Sequence, residues 1–338
     1  MPRGNLECIQ PRTLSLHIIG YHLDNCDYLS AFDLMRRQRI NLNLIYDHNP
    51  EKFIENASKF VNQISKVSWL SLFLSELTDE DVTSTIYANY YRRHRLESNN
   101  LQLNKIESIC GLLRNIMEER NSANHLIQPI LISLVKDKRK QGMEAALTKI
   151  KEIQKLEGKC TENKERVSDE ALKYLLYIVD VNVLFDIALG MYDFDLTMFI
   201  ASKSQKDPKE YIPFLNDFRN LDENYMKYSI DLHLKRYESA LEHIAKEPNR
   251  FNEAVSLIRN HNLYAKALKL FGKESKEYKE VARIYGEFLL KKQCYYEAGI
   301  MFRRSGDLKE ALNAYRLATS WRDVIILSTQ MKLRLILL

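Results

Sequence analysis

The stretch YYEAGIMFRRSGDLKEALNAYRLATSW, Tyr295–Trp321, carries one pattern twice. A large apolar residue is followed three positions on by a small one and four further on by another apolar one. Tyr295, Ala298 and Phe302 form the first instance, and Leu308, Ala311 and Tyr315 the second. Positions i, i+3 and i+7 share one face of a helix. Between the two instances, Gly306 ends one helix and Asp307, with Glu310 three residues on, opens the next. The step of 13 residues between Ala298 and Ala311 leaves room for about ten helical residues and a three-residue turn. Helices joined so tightly run antiparallel and pack on their neighbours.

The pattern extends outward from there. Tyr237, Ala240, Ile244, then Phe251, Ala254, Ile258, then Tyr264, Ala267, Phe271 precede it, and Trp321 with Val324 begins a weaker sixth instance. The small positions are separated by 14, 13, 31, 13 and 13 residues. The long step holds one further helix, about 275–291. A stack of such hairpins is an α-solenoid. Its hairpin period of about 26 is shorter than the tetratricopeptide 34, so the C-terminal third is tetratricopeptide-like. The fold expected is all-α, an α-solenoid of stacked antiparallel helix pairs.

Composition agrees. Only 10 Gly and 7 Pro occur in 338 residues, about 5% against a usual figure near 12%. Turn-rich all-β architecture is thereby excluded. Hydrophobic residues at 45% supply a core, and a net charge of +5 spread along the chain permits an acidic or nucleic-acid partner without arguing for one. Five separated cysteines, Cys8, Cys26, Cys110, Cys160 and Cys294, without a CxxC, read as reduced thiols. The most apolar long run, Leu172–Tyr192, contains Lys173, Asp180 and Asp186, which argues against a membrane span. The expected location is the cytoplasm, with the nucleus as the alternative.

Elsewhere, helix starts are written at Asn49-Pro50 and Asp207-Pro208-Lys209-Glu210, and Met143, Ala146 and Ile150 share a face. The expected division is 1–84 helical, 85–99 loop, 100–157 helical, 158–167 loop, 168–327 solenoid repeats and 328–338 an atypical tail.

The recognised catalytic motifs are missing. No GxGxxG or GxxxxGK[ST] occurs. His17, His22 and Cys26, with Asp24 and Asp27, are the nearest to a metal set, and surface polarity around a helix end explains them as well. Asp193 and Asp195, near Asp180 and Asp186, read as helix caps. His233 and His243 lack a Ser or Cys at a recognisable spacing. No enzyme, cofactor or metal is expected. Arg92, Arg93 and Arg95 follow Tyr90 and Tyr91, and Lys138, Arg139 and Lys140 end a second basic run. These are candidate RNA contacts, a solvated loop or helix end being the alternative. Ser204–Leu215 is the candidate docking segment for a partner, through Lys206, Asp207, Lys209, Glu210 and Tyr211. Pro208, Pro213, Phe214 and Leu215 make it equally a packing element.

Several phrases, in order, resemble the largest subunit of the Elongator complex, the IKAP family. They are MPRGNLE (Met1–Glu7), RINLNLIYDHNP (Arg39–Pro50), LTDEDVT (Leu77–Thr83), EALKYLLYIVDVN (Glu170–Asn182), YDFDLTMFIASKSQKDPKEYIPFLN (Tyr192–Asn216), LKRYESAL (Leu234–Leu241) and NLYAKALKLF (Asn262–Phe271). The resemblance implies a non-catalytic scaffold that gathers the other Elongator subunits, including the catalytic one, in wobble-uridine modification of transfer RNA. It also implies weak transfer-RNA contact, and homodimerisation through a region that comes after this one in the family. By the same resemblance the chain begins where the family's propellers hand over to helices, and TQMKLRLILL (Thr329–Leu338) departs from the solenoid pattern. A fragment or splice variant is therefore expected. The rival reading of the architecture is a solenoid adaptor of a vesicle coat.

Overall fold

The computed structural model describes residues 10–91, 104–119, 125–136, 140–157, 167–204 and 206–331. Among these residues the regular elements are all helical. They fall in two compact units, one within 1–191 and 195–205, the other within 192–194 and 206–338.

The first unit opens with α1 (Arg12–Asp24), α2 (Tyr28–Arg37), α3 (Leu44–Asp47), α4 (Pro50–Glu55), α5 (Ala57–Gln63), α6 (Val67–Glu76) and α7 (Ala88–Tyr91). It continues with α8 (Lys105–Glu118), α9 (Ile127–Val135), α10 (Lys140–Glu157), α11 (Val167–Ile178), α12 (Val181–Gly190) and α13 (Phe194–Lys203). The second unit contains α14 (Pro208–Arg219), α15 (Glu223–His233), α16 (Tyr237–Ile244), α17 (Phe251–His261), α18 (Tyr264–Leu270), α19 (Lys276–Lys291), α20 (Tyr295–Ser305), α21 (Leu308–Leu317) and α22 (Trp321–Gln330).

The repeat pattern marks α16, α17, α18, α20, α21 and α22, each beginning on the expected large residue. The small positions Ala240, Ala254, Ala267, Ala298 and Ala311 are completely buried. The long step holds α19, whose N-cap Ser275 accepts the Tyr278 amide at 3.0 Å. The apolar run expected to be too charged for a membrane is divided between α11 and α12, with Asp180 capping α12. Among the described residues no helix is long and apolar enough to cross a membrane.

Five turns of the second unit share one closure. Lys235, Asn262, Gln293, Gly306 and Thr319 are left-handed there, at φ between 57° and 87°. The amide just after each of them donates to the carbonyl five residues earlier. The closing bonds include Leu263 to Ile258 at 3.1 Å, Asp307 to Phe302 at 3.0 Å and Ser320 to Tyr315 at 3.0 Å. This satisfies end carbonyls that a helix otherwise leaves bare. The first unit contains the same device. Cys26 and Arg39, again 13 residues apart, are left-handed, and Tyr28, Ala31 and Met35 between them repeat the large–small–large pattern, all buried. That instance is an addition to the six visible in the C-terminal third.

Two glycines set close helix approaches. A Cβ on Gly286 would lie 2.9 Å from the Phe302 ring, and one on Gly299 would lie 2.7 Å from the Tyr315 ring. Within 85–99, Ala88–Tyr91 is a helical turn with Tyr91 buried. Residues 92–103 lie outside the described residues, as do 158–166 and 332–338. Within the expected tail, α22 continues as far as Gln330.

Three outcomes test this packing. Gly299→Ala should destabilise the second unit by about 1–3 kcal/mol, because the Tyr315 ring it meets is itself buried. Gly111→Ala on α8, where a Cβ meets nothing within 4 Å, should instead gain about 0.5–1 kcal/mol. Thr319→Gly should stabilise by about 1 kcal/mol, relieving a β-branched residue at positive φ. Urea unfolding of each variant measures all three.

Candidate docking surface and its buried anchors

The candidate docking segment is the start of α14. Asp207 caps it by accepting the Lys209 amide at 2.9 Å, and Pro208 occupies the first helical position. Asp207, Lys209 and Glu210 are exposed, with Lys206 and Tyr211 half-buried. Leu215 is the buried residue of α14, so this helix offers most of its surface outward. Phe214 packs on the His233 ring, centroids 5.1 Å apart.

Of the candidate RNA contacts, Lys140 is described. It begins α10, exposed, 3.9 Å from Glu144. Arg92, Arg93, Arg95, Lys138 and Arg139 lie outside the described residues.

The nearest approach to a metal set is divided among other partners. His22 Nδ1 lies 3.0 Å from Asp27 Oδ2, Asp24 meets His48 Nε2 at 3.1 Å, and His17 meets Tyr90. Among the described residues no three metal-ligating side chains converge. Asp195 falls inside the first turn of α13 and Asp193 just before it. Asp180 caps α12, accepting the Asn182 amide at 2.8 Å.

Sequence reasoning missed two buried polar anchors. In the first unit the Lys105 ammonium is buried against the Asp47 carboxylate at 2.7 Å. It also donates to Asn43 Oδ1 at 3.2 Å and the Glu80 carbonyl at 3.1 Å, and lies 5.6 Å from the Tyr46 ring. Asp47 accepts the Val82 amide at 2.9 Å, and Asn43 accepts the Thr78 amide at 2.9 Å. These bonds pin the connector between α6 and α7 to α3 and α8. Burial pushes the Asp47 carboxyl up, opposed by Lys105 and the Val82 amide. Tyr91, buried at the end of α7, meets His48 Nδ1 at 2.8 Å.

In the second unit the anchor is Asp231 on α15, fully buried. Its Oδ2 accepts the Tyr192 hydroxyl at 2.8 Å and the Ser239 hydroxyl at 2.5 Å. His243 on α16 lies 3.2 Å from the Tyr192 oxygen. Burial and the bond to Asp231 push the Tyr192 phenol up to about 12. An open groove of about 470 Å³ adjoins this anchor, lined by the turn residues Lys235 and Arg236, by Tyr237 and Ser239, and by His261 and Leu263. Tyr237 stacks on His261 with centroids 3.5 Å apart. The groove sits where the α15–α16 and α17–α18 turns come side by side, which is where a helical repeat presents residues to a partner.

The description ELP1 alpha-solenoid matches residues 12–218, and the description ELP1 TPR domain matches residues 225–336. The chain belongs to the ELP1 family. Its relatives include the Elongator complex protein 1 of Oryctolagus cuniculus, 44% identical over 335 residues. Those of Drosophila melanogaster and Saccharomyces cerevisiae are 37% and 32% identical over 335 and 350 residues. These alignments cover 97–98% of this chain and 25–26% of each relative, so the chain spans about a quarter of the length of these relatives. The ELP1 match bears out both the all-α solenoid and the tetratricopeptide-like character of its last third.

Removing the first anchor's cation should be costly. Lys105→Met leaves the buried Asp47 carboxyl without its counter-ion, and is expected to lose about 3–5 kcal/mol. Adding Asp47→Leu should recover part of the loss. Chemical unfolding of the single and double variants checks this.

Proposed function

We propose that this chain is a non-catalytic scaffold region of the Elongator complex, holding the catalytic and other subunits through its outward helix faces and so supporting wobble-uridine modification of transfer RNA. The observation that carries the reading is the match to ELP1 descriptions over nearly the whole chain. Relatives named Elongator complex protein 1 add to it. The physics is compatible with the role. A stack of hairpins buries one face of each helix and leaves a long, side-chain-rich surface for partners. Its working compartment is the cytoplasm, with the nucleus as the alternative.

Docking is assigned to the start of α14 through Lys206, Lys209, Glu210 and Tyr211, with Asp207 fixing the helix start. Direct RNA contact is assigned to Arg92, Arg93, Arg95, Lys138, Arg139 and Lys140.

Affinity purification of the tagged chain, with partners identified by mass spectrometry, should recover Elongator subunits. Recovery of vesicle-coat subunits instead would overturn the reading. Lys206→Ala, Lys209→Ala and Tyr211→Ala together should abolish that recovery while leaving the thermal midpoint unchanged. Asp207→Ala is unsuitable, since it removes a cap at a cost of about 1 kcal/mol. For RNA, Arg92→Ala, Arg93→Ala and Arg95→Ala together should weaken transfer-RNA binding and reduce the salt slope by about 2–3. An unchanged slope removes the RNA assignment.

A further inference from the structure

The anchor of the second unit has a property that the docking role does not use. Tyr192 has one hydroxyl proton, and it goes to Asp231 Oδ2 at 2.8 Å. The His243 Nε2 atom, 3.2 Å from the same phenol oxygen, must therefore be the donor of that contact. This fixes the neutral tautomer, with the proton on Nε2. The other ring nitrogen, Nδ1, is then a bare lone pair, buried and without a hydrogen-bond partner. A second proton on this imidazole goes to Nδ1, where no acceptor waits for it.

The surrounding charges come from every element packed on α16. Asp231 lies 3.7 Å from His243 Nε2, and Lys227 also lies on α15. Glu242 is the neighbour on α16, and Lys246 comes just after the helix. Arg236, in the turn, is 4.0 Å from Asp231 Oδ1. On α18, Lys266 is engaged by Glu242 at 2.7 Å and by Glu238. On α17, His261 stacks on Tyr237 at the first turn of α16, and Glu253 is paired with Arg250.

We propose that Tyr192, Asp231 and His243 form an acid-released latch: neutral His243 fastens the strap Tyr192–Phe194 to α15 and α16, and a proton on Nδ1 unfastens it. Lys227 also lies over the Tyr192 ring at 5.8 Å and Arg219 over Phe194 at 5.5 Å. Burial holds His243 below its ordinary 6.5, and Lys246 and Lys227 add to this against the opposing pull of Asp231 and Glu242. A depressed value means that the latch's contribution is fully present above 6.5 and is lost as pH falls through the folded value.

The test uses the full chain. Imidazole proton resonances give the titration midpoint of His243, assigned by its disappearance in His243→Gln. Hydrogen-exchange protection of the strap and of α15–α16 is followed in parallel. His243 should titrate below the free imidazole value, and protection of 192–194 and 230–244 should fall about tenfold between about pH 7 and pH 5. His243→Gln keeps a donor for Tyr192 but cannot be charged, so its protection should stay flat. Tyr192→Phe retains the ring and removes the hydroxyl. It should show low protection at both pH values, and it serves as the second variant if the first fails to fold. A His243 midpoint at or above the free value overturns the latch. So does an acid loss of equal size in His243→Gln, or a Tyr192→Phe chain as protected at neutral pH as the parent.

Discussion

Five of the turns in the repeated part depend on one closure. A helix of about ten residues must stop, reverse and restart within three, and its last carbonyls must find donors on the way. The five-residue back-bond around a left-handed residue does this, and it fixes where the next helix starts. With a step of 13, the next helix is necessarily antiparallel and adjacent. The contact between the two then has to accept a close approach, which is why Ala240, Ala254, Ala267, Ala298 and Ala311 are buried to the last atom and why Gly286 and Gly299 meet rings at less than ordinary contact distance once a Cβ is imagined. Non-glycine residues accept the left-handed position at Lys235, Asn262, Gln293 and Thr319. Each costs about 1 kcal/mol or more, tolerated because helix packing on both sides over-determines the turn.

The buried carboxylates answer a different need. Apolar faces fix that helices pack, but many rotations of one helix against another bury similar area. Asp47 with Lys105 and Asp231 with Tyr192 and Ser239 admit one arrangement each. A buried charge whose partner is misplaced costs several kcal/mol, so a wrong register is penalised at these points. In the first unit this matters most between α6 and α7, where the connector has no repeat to guide it and Asp47 and Asn43 supply its fixed points.

This division of labour explains what the sequence discloses. The solenoid was legible because its rule is local: large, small and large residues at i, i+3 and i+7, with Gly306 and Asp307 at a boundary. The caps at Asn49 and Asp207 were legible for the same reason. Tyr28, Ala31 and Met35 escaped because one instance without neighbours has no period. Gly286 and Gly299 escaped because a glycine inside a helix reads locally as a weakness, and only the facing ring shows its purpose. The anchors were not legible at all. Tyr192 and Asp231 are 39 residues apart, and no local pattern links an aspartate to a hydroxyl at that distance. His243, which lacked a partner at any recognisable spacing, has one only in three dimensions.

A repeat stack also determines how far a disturbance travels. Its stability is close to a sum of single hairpins and the contacts between neighbours, so loss at one position weakens that hairpin and the next, and fades beyond. The Asp231 anchor joins α15 and α16, at the start of the repeated helices. The rings that tie later members together, Tyr264 on Tyr285 at 5.0 Å and Tyr296 on Tyr315 at 5.8 Å, do not involve it. A charge placed on His243 therefore loosens the first hairpin while α20, α21 and α22 keep their packing. In a globular core of the same size the same charge would be shared by every element. Here the repeat arrangement confines it, which allows the first hairpin of the repeated helices to yield without unfolding the later ones.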